Sequence, residues 1–295
     1  MNINWYPGHM AKTKRIISEN LKLVDGVIEI LDARIPLSSQ NPDINTLCKD
    51  KKRLVILNKE DTADEKVTMG WINYFKQKGF AAISANCESG EGLKKVPAEL
   101  KALLSEKLEK NKEKGIKKPL RIMVAGIPNS GKSSFINRMA KRQALKTEDR
   151  PGVTVNKQWV KISEEIELLD TPGILWPKLD NEKCALHLAF TGAIKEQVLD
   201  IEEVCVRFLE FMLENYKDAL SSRYKIDIED YDDRLSVYEK ICFKRGYIFK
   251  KDEPDYTRCA HAVLDDFQSG KLGRISLEDA NKIFKNQDMN YENRI

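Results

Sequence analysis

Eight consecutive residues, 126–133, carry the clearest chemical signal in the sequence. They read Gly-Ile-Pro-Asn-Ser-Gly-Lys-Ser and match the pattern G-x-x-x-x-G-K-[ST]. Glycines let backbone N–H groups turn toward phosphate oxygens, Lys132 can reach the β- and γ-phosphates, and the Ser133 hydroxyl can bind magnesium. The alternative is an ordinary loop turn. The apolar strand pattern before these residues and the helical pattern after them favour a phosphate-binding loop.

A second motif, Asn-Lys-Glu-Asp at residues 58–61, indicates which base is bound. The Asp61 carboxylate can accept hydrogen bonds from two guanine N–H groups that adenine does not present, and adenine would leave a buried charge unpaired. Taken alone, these four residues could equally form a solvated turn. Ser84 and Ala85, at the end of the next predicted strand, are a pair typical of the segment that backs a guanine base, and they favour guanine binding.

The third motif, Asp-Thr-Pro-Gly at residues 170–173, matches D-x-x-G after a predicted strand over 166–169. Its Asp170 is expected to hold magnesium through water, and the Gly173 N–H can meet the γ-phosphate. Thr154, in the run Pro-Gly-Val-Thr, is the candidate for a threonine that binds magnesium in the triphosphate state. The motifs together predict a protein that binds GTP or GDP with Mg²⁺ and hydrolyses GTP.

The elements that must position these motifs alternate between strand and helix patterns. Strands are predicted over 24–31, 53–57, 80–83, 120–125 and 166–169, a helix over 64–78, and one long charged helix over 92–114. Such alternation predicts an α/β fold with a mostly parallel, doubly wound sheet. Beyond residue 178 the patterns are helical, over 182–191, 196–219, 234–244, 256–269 and 276–286. The sequence therefore predicts a nucleotide-binding domain over 1–178 and an all-helical domain over 179–295.

The chain of 295 residues carries a formal net charge of +4 that is unevenly spread. Residues 1–120 sum to +6, residues 121–180 to +3 and residues 181–295 to −5, which favours nucleic-acid contact by the first part. The six cysteines form no C-x-x-C pair and are expected to be reduced and mostly buried. No apolar run is long enough to cross a bilayer, and the first residues lack a targeting pattern, so a cytoplasmic protein without membrane contact is expected.

The order of the motifs is unusual, because N-K-x-D precedes the phosphate-binding loop, the reverse of their order in Ras-like GTPases. A compact domain tolerates such a circular permutation because its termini lie close together. With this order, the chain resembles the YlqF-type circularly permuted GTPases along its whole length. The specific marks are Trp-Tyr-Pro-Gly-His-Met at residues 5–10, Asp-Ala-Arg-Ile-Pro at residues 32–36, and the helical region after D-x-x-G.

The resemblance implies a P-loop GTPase domain followed by a C-terminal all-helical domain. It also implies a role in large-ribosomal-subunit assembly, with binding to a late precursor, stimulation of hydrolysis by it, and later release. A monomer is expected. Ile174 follows D-x-x-G where Ras-like proteins have a water-orienting glutamine, so unaided hydrolysis should be slow. The resemblance suggests His9 as the replacement group, the alternative being a surface histidine, and it suggests Asn129 as a ligand of K⁺.

The predicted site residues can be collected in two sets. Nucleotide contacts are expected from Asn58, Lys59, Asp61, Ser84, Ala85, Asn129, Ser130, Gly131, Lys132, Ser133, Ser134, Asp170 and Gly173. Hydrolysis is expected to involve Lys132, Thr154 and His9, with Mg²⁺ bound by Ser133, Thr154 and Asp170.

A basic and aromatic run over 243–251 could bind ribosomal RNA or could be a solvated turn after a helix. The resemblance favours RNA. Two other functions remain open from the residues. One is a placeholder that binds GTP without using its hydrolysis, and the other is a signalling switch with a protein effector.

Overall fold

The computed structural model describes residues 15, 17–144, 159–171, 173, 181–250 and 253–284. A six-stranded sheet forms the first part. Its strands are β1 (Gly26–Asp32), β2 (Lys52–Asn58), β3 (Ala81–Ala85), β4 (Leu120–Ala125), β5 (Trp159–Ser163) and β6 (Ile166–Asp170), in the order β3-β2-β1-β4-β6-β5. All neighbouring pairs are parallel except β5 with β6. The predicted mostly parallel sheet is confirmed, and β5 is a strand that the sequence patterns did not reveal.

Helices cover both faces of the sheet because alternate strand residues point to opposite sides. The helices of this part are α1 (Pro42–Leu47), α2 (Glu65–Gln77), α3 (Val96–Leu103), α4 (Ser105–Glu113) and α5 (Lys132–Ala144). Ile28 and Ile30 of β1 pack with Leu100 of α3 on one face, and Leu31 packs with Trp71 of α2 on the other. Burial on two faces accounts for the near-continuous apolar strand sequences.

Three helix predictions were wrong in their extent. The helix expected over 276–286 is helical only from residue 280 in the described part. The helix expected over 92–114 begins with a short 3₁₀ turn and then divides into α3 and α4 at Leu104, whose backbone leaves the helical region at φ −110° and ψ 22°. The side chain of Leu104 is buried in the sheet core, so packing decides the break. The helix expected over 196–219 likewise divides into a 3₁₀ turn and two α-helices, which meet at Tyr216.

The second part is helical, as predicted. It contains α6 (Glu182–Phe190), α7 (Ile201–Asn215), α8 (Lys217–Tyr224), α9 (Arg234–Arg245) and α10 (Tyr256–Gln268). Side chains from all five helices form one apolar core around Phe208 and Phe267. Ile35 and Ile127, from loops of the first part, belong to the same core. The two parts therefore share an apolar contact directly beside the phosphate-binding loop.

After α10 the chain returns to the sheet. The backbone N–H groups of Ile275 and Leu277 donate to the carbonyls of Thr62 and Arg34, each at 2.9 Å. The buried Glu278 carboxylate accepts from the backbone N–H of Leu37 at 2.6 Å. Residues 280–284 are helical, and the ring of Phe284 stacks on that of Tyr74. The division at residue 178 stays a prediction, since residues 174–180 lie outside the described part.

All six cysteines are free. Five are buried and Cys184 is half-buried. Among the described residues, no helix has the length and apolar character needed to span a membrane.

Candidate functional site

The carboxyl ends of the parallel strands bring the predicted motifs to one edge of the sheet. β2 ends at Asn58, β4 ends at Ala125 before the phosphate-binding loop, and β6 ends at Asp170. Ligands of open α/β sheets bind at this edge because loops from several strands converge there. The fold thus gathers motifs that are separated in sequence.

The loop over 126–131 turns sharply before α5 begins at Lys132. Asn129 has φ 58° and Gly131 has φ 99°, both in the left-handed region that most side chains avoid. A Cβ atom at position 131 would clash with the Asn58 side chain. Glycine at this position is therefore required both by the backbone angle and by the neighbour that packs against it.

Residues 58–61, which carry the N-K-x-D motif, form the base-selecting loop, and Asn58 joins this loop to the phosphate-binding loop. Its Nδ2 donates to the Ser130 carbonyl at 2.7 Å, and its Oδ1 accepts from the Cys87 backbone N–H at 2.8 Å. The side chain is buried, so each of these polar groups would lack a partner without it. Asn58 holds three segments, after β2, β3 and β4, in fixed relative positions.

A cavity of about 490 Å³ lies between these loops. The predicted residues that line it are Asn58, Lys59, Asp61, Asn129, Gly131, Lys132, Ser133 and Ser134. Asp61 and Lys132 therefore share one cavity, as a guanine nucleotide with its base at one end and its phosphates at the other requires. Ser130 is buried behind the loop and donates from its hydroxyl to the Ile127 carbonyl at 2.9 Å.

Lys132 lies largely buried at the phosphate end, with 7% of its surface exposed. Its Nζ donates to the Ile127 carbonyl at 2.9 Å. Burial lowers the pKa of Lys132 to about 8, and the nearby Asp170 carboxylate acts in the opposite direction. Burial removes water that would otherwise stabilise the charged ammonium group. The negative phosphate oxygens of a bound nucleotide would stabilise that charge instead, so Lys132 is a suitable phosphate ligand.

The D-x-x-G motif lies against the same lysine. A Cβ at position 173 would come within 2.7 Å of the Lys132 Nζ, which shows how closely Gly173 approaches it. The Thr171 hydroxyl donates to the Val124 carbonyl at 2.6 Å and fixes the motif to β4. Burial raises the pKa of Asp170, while Lys132 and the Thr171 N–H act to lower it.

Ser84 and Ala85 lie where β3 ends beside the base-selecting loop. Ala85 is buried, and its carbonyl accepts from the Glu60 N–H at 3.4 Å. Ser84 lines a smaller cavity of about 210 Å³ that Asp61 also lines. The two cavities thus meet at Asp61, the residue predicted to bind guanine.

A buried ion-pair network supports the base-selecting loop from below. Asp32, at the end of β1, accepts from the Arg34 guanidinium at 2.8 Å and from the Lys59 ammonium at 3.0 Å. Burial alone would raise the pKa of Asp32, but Arg34 and Lys59 outweigh it and hold this pKa well below its usual range. Lys59 adopts φ 64°, a strained angle that the ion pair helps to maintain.

Arg34 extends the network to the helical part. Its Nη1 donates to the carbonyls of Phe267 and Gln268 at 3.1 and 3.4 Å, and its guanidinium lies 4.7 Å from the centre of the Phe267 ring. These carbonyls end α10, where the helix dipole favours a cation. Asn129 also contacts the helical part, because its Nδ2 donates to the Gly192 carbonyl.

Sequence reasoning missed the cavity residues that come from the helical part. They are Thr191, Gln268 and Ser269, and the cavity is also lined by Thr62, Asn86 and Glu88. The Gln268 side chain donates to the Phe190 carbonyl at 3.1 Å. Nothing local marks these residues as nucleotide contacts, because they reach the cavity only when α6 and α10 pack beside the phosphate-binding loop.

The described residues include two oxygen donors suited to magnesium, the Ser133 hydroxyl and the Asp170 carboxylate. Among the residues described, no group of three or more His, Cys, Asp or Glu side chains could hold a metal ion by itself. His9 and Thr154 lie outside the described residues.

Comparisons with known proteins find relatives that cover 94–95% of this chain. A family model described as 50S ribosome-binding GTPase matches residues 121–239. Ribosome biogenesis GTPase A of Bacillus cereus is 47% identical over 279 residues, covering 94% of this chain and 94% of that protein. The protein of the same name from Priestia megaterium is 44% identical, covering 95% and 97%.

A solved structure of GNP-bound YlqF from T. maritima is similar in fold, with a TM-score of 0.64 and 27% sequence identity. It covers 91% of this chain and 98% of that one. Asp170 and Gly173 are not among the residues that line the cavity, although Gly173 lies against Lys132, which does line it. Relatives that match over 94–95% of the chain and a cavity lined by both N-K-x-D and the phosphate-binding loop lead to one conclusion. The chain belongs to the ribosome biogenesis GTPase A family of YlqF-type circularly permuted GTPases and is a GTP-hydrolysing enzyme.

Proposed function

We propose that this GTPase acts in the cytoplasm, as a monomer, during late assembly of the large ribosomal subunit, and that the pre-ribosomal particle stimulates its hydrolysis of GTP. The observation that carries the proposal is the cavity that Asp61 and Lys132 share with Gln268 and Ser269 of the helical part. A nucleotide bound there touches both parts of the chain. Its γ-phosphate can therefore alter how the helical part is held.

The roles proposed for the site residues rest on the sequence motifs and, for those residues that the structure describes, also on their positions around the cavity. Asp61 binds the guanine N–H groups, and Lys132 with the loop N–H groups binds the β- and γ-phosphates. Ser133, Asp170 and Thr154 bind Mg²⁺, directly or through water. Asn129 contributes to a K⁺ site beside the phosphates. With Ile174 in place of a water-orienting glutamine, His9 supplies that function when the protein is bound to the particle.

Ribosomal RNA is the proposed partner of the helical part. Phe243 and Phe249 are 50% and 58% exposed, although aromatic side chains of this size usually lie inside. Lys244 and Arg245 lie in the last turn of α9 between them. Exposed rings next to cations suit stacking on unpaired bases together with phosphate contact. These four residues belong to the basic and aromatic run at residues 243–251.

The guanine assignment is tested by replacing Asp61 with asparagine. The amide presents a donor where guanine N–H groups need acceptors, so GTP affinity should fall by about 100-fold or more, and affinity for xanthosine triphosphate should rise. Titration with fluorescent nucleotides measures both. Glu60→Gln, at the exchangeable position of the motif, is the matched control. Equal preference of Asp61→Asn and wild type for GTP would refute the assignment.

The ribosomal assignment is tested by single-turnover hydrolysis with and without large-subunit precursors, together with co-sedimentation of the GTP-loaded protein. We expect slow hydrolysis alone and faster hydrolysis on the particle, reduced by His9→Ala. Binding without faster hydrolysis would indicate a placeholder that does not use its chemistry. Absence of co-sedimentation would instead favour a signalling switch with a protein effector.

A further inference from the structure

A third cavity lies at the opposite edge of the sheet from the nucleotide motifs. It has a volume of about 390 Å³ and lies beside the start of β2 and the end of α2. β2 runs from Lys52 here to Asn58 at the nucleotide cavity, and seven residues of strand span roughly 20 Å. A ligand in this cavity would therefore not touch a bound nucleotide.

The lining of this cavity is strongly basic. Lys49, Lys51, Arg53 and Lys78 contribute four cations, and no aspartate or glutamate is among the described lining residues. The Lys51 ammonium is fixed, since its Nζ donates to the Val24 carbonyl at 2.6 Å. Lys49 and Lys78 are exposed. The concentration of one sign of charge in a concave site raises its attraction for anions.

Two of the aromatic rings that line the cavity, those of Phe80 and Tyr74, each have a cation against them. The Arg53 guanidinium lies 4.5 Å from the centre of the Phe80 ring, and the Lys78 ammonium lies 5.6 Å from that of Tyr74. Tyr74 also stacks on Phe284 at 4.4 Å with an interplanar angle of 6°. These contacts position the two cations, and they occupy ring surface on which a base could otherwise stack. The arrangement therefore favours phosphate groups over nucleobases.

Arg53, which lines this cavity, has a buried donor without a partner among the described residues. Its Nη1 donates to Glu29 Oε2 at 2.7 Å and to Asn45 Oδ1 at 2.6 Å, but its Nε is buried with no hydrogen-bond partner among the described residues. Arg53 is only 5% exposed. A buried N–H without an acceptor is costly, and an oxygen atom of a bound anion would satisfy it.

From these observations we infer that the cavity binds phosphodiester groups of RNA through Lys49, Lys78 and the Arg53 Nε, without reading base sequence. The identity of the RNA rests on the proposed function, in which the partner is the large-subunit precursor. The part of the chain that contains the sheet would then have an RNA-binding site of its own, separate from the exposed rings of the helical part. It also matches the net positive charge of residues 1–120.

The test compares the full-length Lys49→Gln/Lys78→Gln double variant with wild type. The control is Lys94→Gln/Lys95→Gln, which neutralises two exposed lysines outside the cavity. The probe is a fluorescein-labelled oligouridylate of about 12 nucleotides, followed by anisotropy over a range of salt concentrations. Loss of two contacts should lower the salt slope by about 1.4, which is about 25-fold weaker binding at about 0.1 M salt. GTP affinity should be unchanged.

Equal RNA affinity and salt slope for the cavity variant and wild type would overturn the inference, and so would equal weakening by the control. Polyglutamate serves as a second probe. If the cavity variant loses binding to polyglutamate but keeps its RNA binding, the cavity binds an acidic protein and the inference is overturned. If wild type neither binds the oligouridylate nor co-sediments with large subunits, the proposed function fails together with the site. If wild type does both and the cavity variant matches it, only the site fails.

Discussion

Replacing Arg34 with methionine should strongly destabilise the protein, because it leaves the Asp32 carboxylate buried with Lys59 as its remaining cation. Arg34 is fully buried, and its fork holds both oxygens of Asp32, with Nε donating at 2.9 Å and Nη2 at 2.8 Å. Removing one partner of a buried pair costs about 3–5 kcal/mol. That is a large fraction of a total stability of about 5–15 kcal/mol.

Urea unfolding followed by circular dichroism measures this loss. The control is Arg207→Met, which breaks a 3.6 Å pair with Glu210 in which both side chains are about 40% exposed, and it should cost less than about 1 kcal/mol. The double variant Asp32→Asn/Arg34→Met should be more stable than Arg34→Met, because it leaves no buried charge unpaired. A loss for Arg34→Met no larger than that of the control would refute the reasoning.

The effect of pH on this pair has a definite sign. The folded-state pKa of Asp32 is held below its unfolded value of about 4. Its stabilising contribution is therefore fully present above about pH 4 and is lost as the pH falls through the lower folded-state pKa. The difference in the free energy of unfolding between wild type and Arg34→Met should shrink on acidification from pH 7 to about pH 3. A constant difference would show that the ion pair is not its source.

Two further predictions concern the nucleotide cavity. Asn58→Ala should leave the Ser130 carbonyl and the Cys87 N–H without hydrogen-bond partners, which costs about 1–3 kcal/mol for each group. Nucleotide titration should then show GTP affinity lowered by about tenfold or more. Unchanged affinity would contradict the role of Asn58 in joining the loops. Lys132→Met should stabilise the nucleotide-free protein by on the order of 1–3 kcal/mol at pH 7, because the folded-state pKa of about 8 is below the unfolded value. Between about pH 8 and 10 the unfolded wild-type protein binds more protons than the folded one, so wild-type stability should rise over that range. The difference in the free energy of unfolding between Lys132→Met and wild type, measured by urea unfolding, should therefore shrink to near zero. A difference that does not change with pH would contradict this prediction.

The sequence by itself determined the chemistry of the nucleotide site. The phosphate-binding loop, N-K-x-D and D-x-x-G each combine residue types whose local backbone and charge suit one part of a guanine nucleotide. Such short segments are recognisable because their geometry depends on neighbours in the chain, as at Gly131. The parallel sheet was also predictable, since strands buried on both faces are apolar throughout.

Only the tertiary structure decided which distant residues complete the site. Gln268 and Ser269 reach the nucleotide cavity because α10 packs beside the loop, and Arg34 links that helix to Asp32. The strand β5 and the break at Leu104 were likewise missed, since strand pairing and burial fix them. Contacts between segments far apart in sequence depend on how whole elements pack, and no local pattern of residue types records that arrangement.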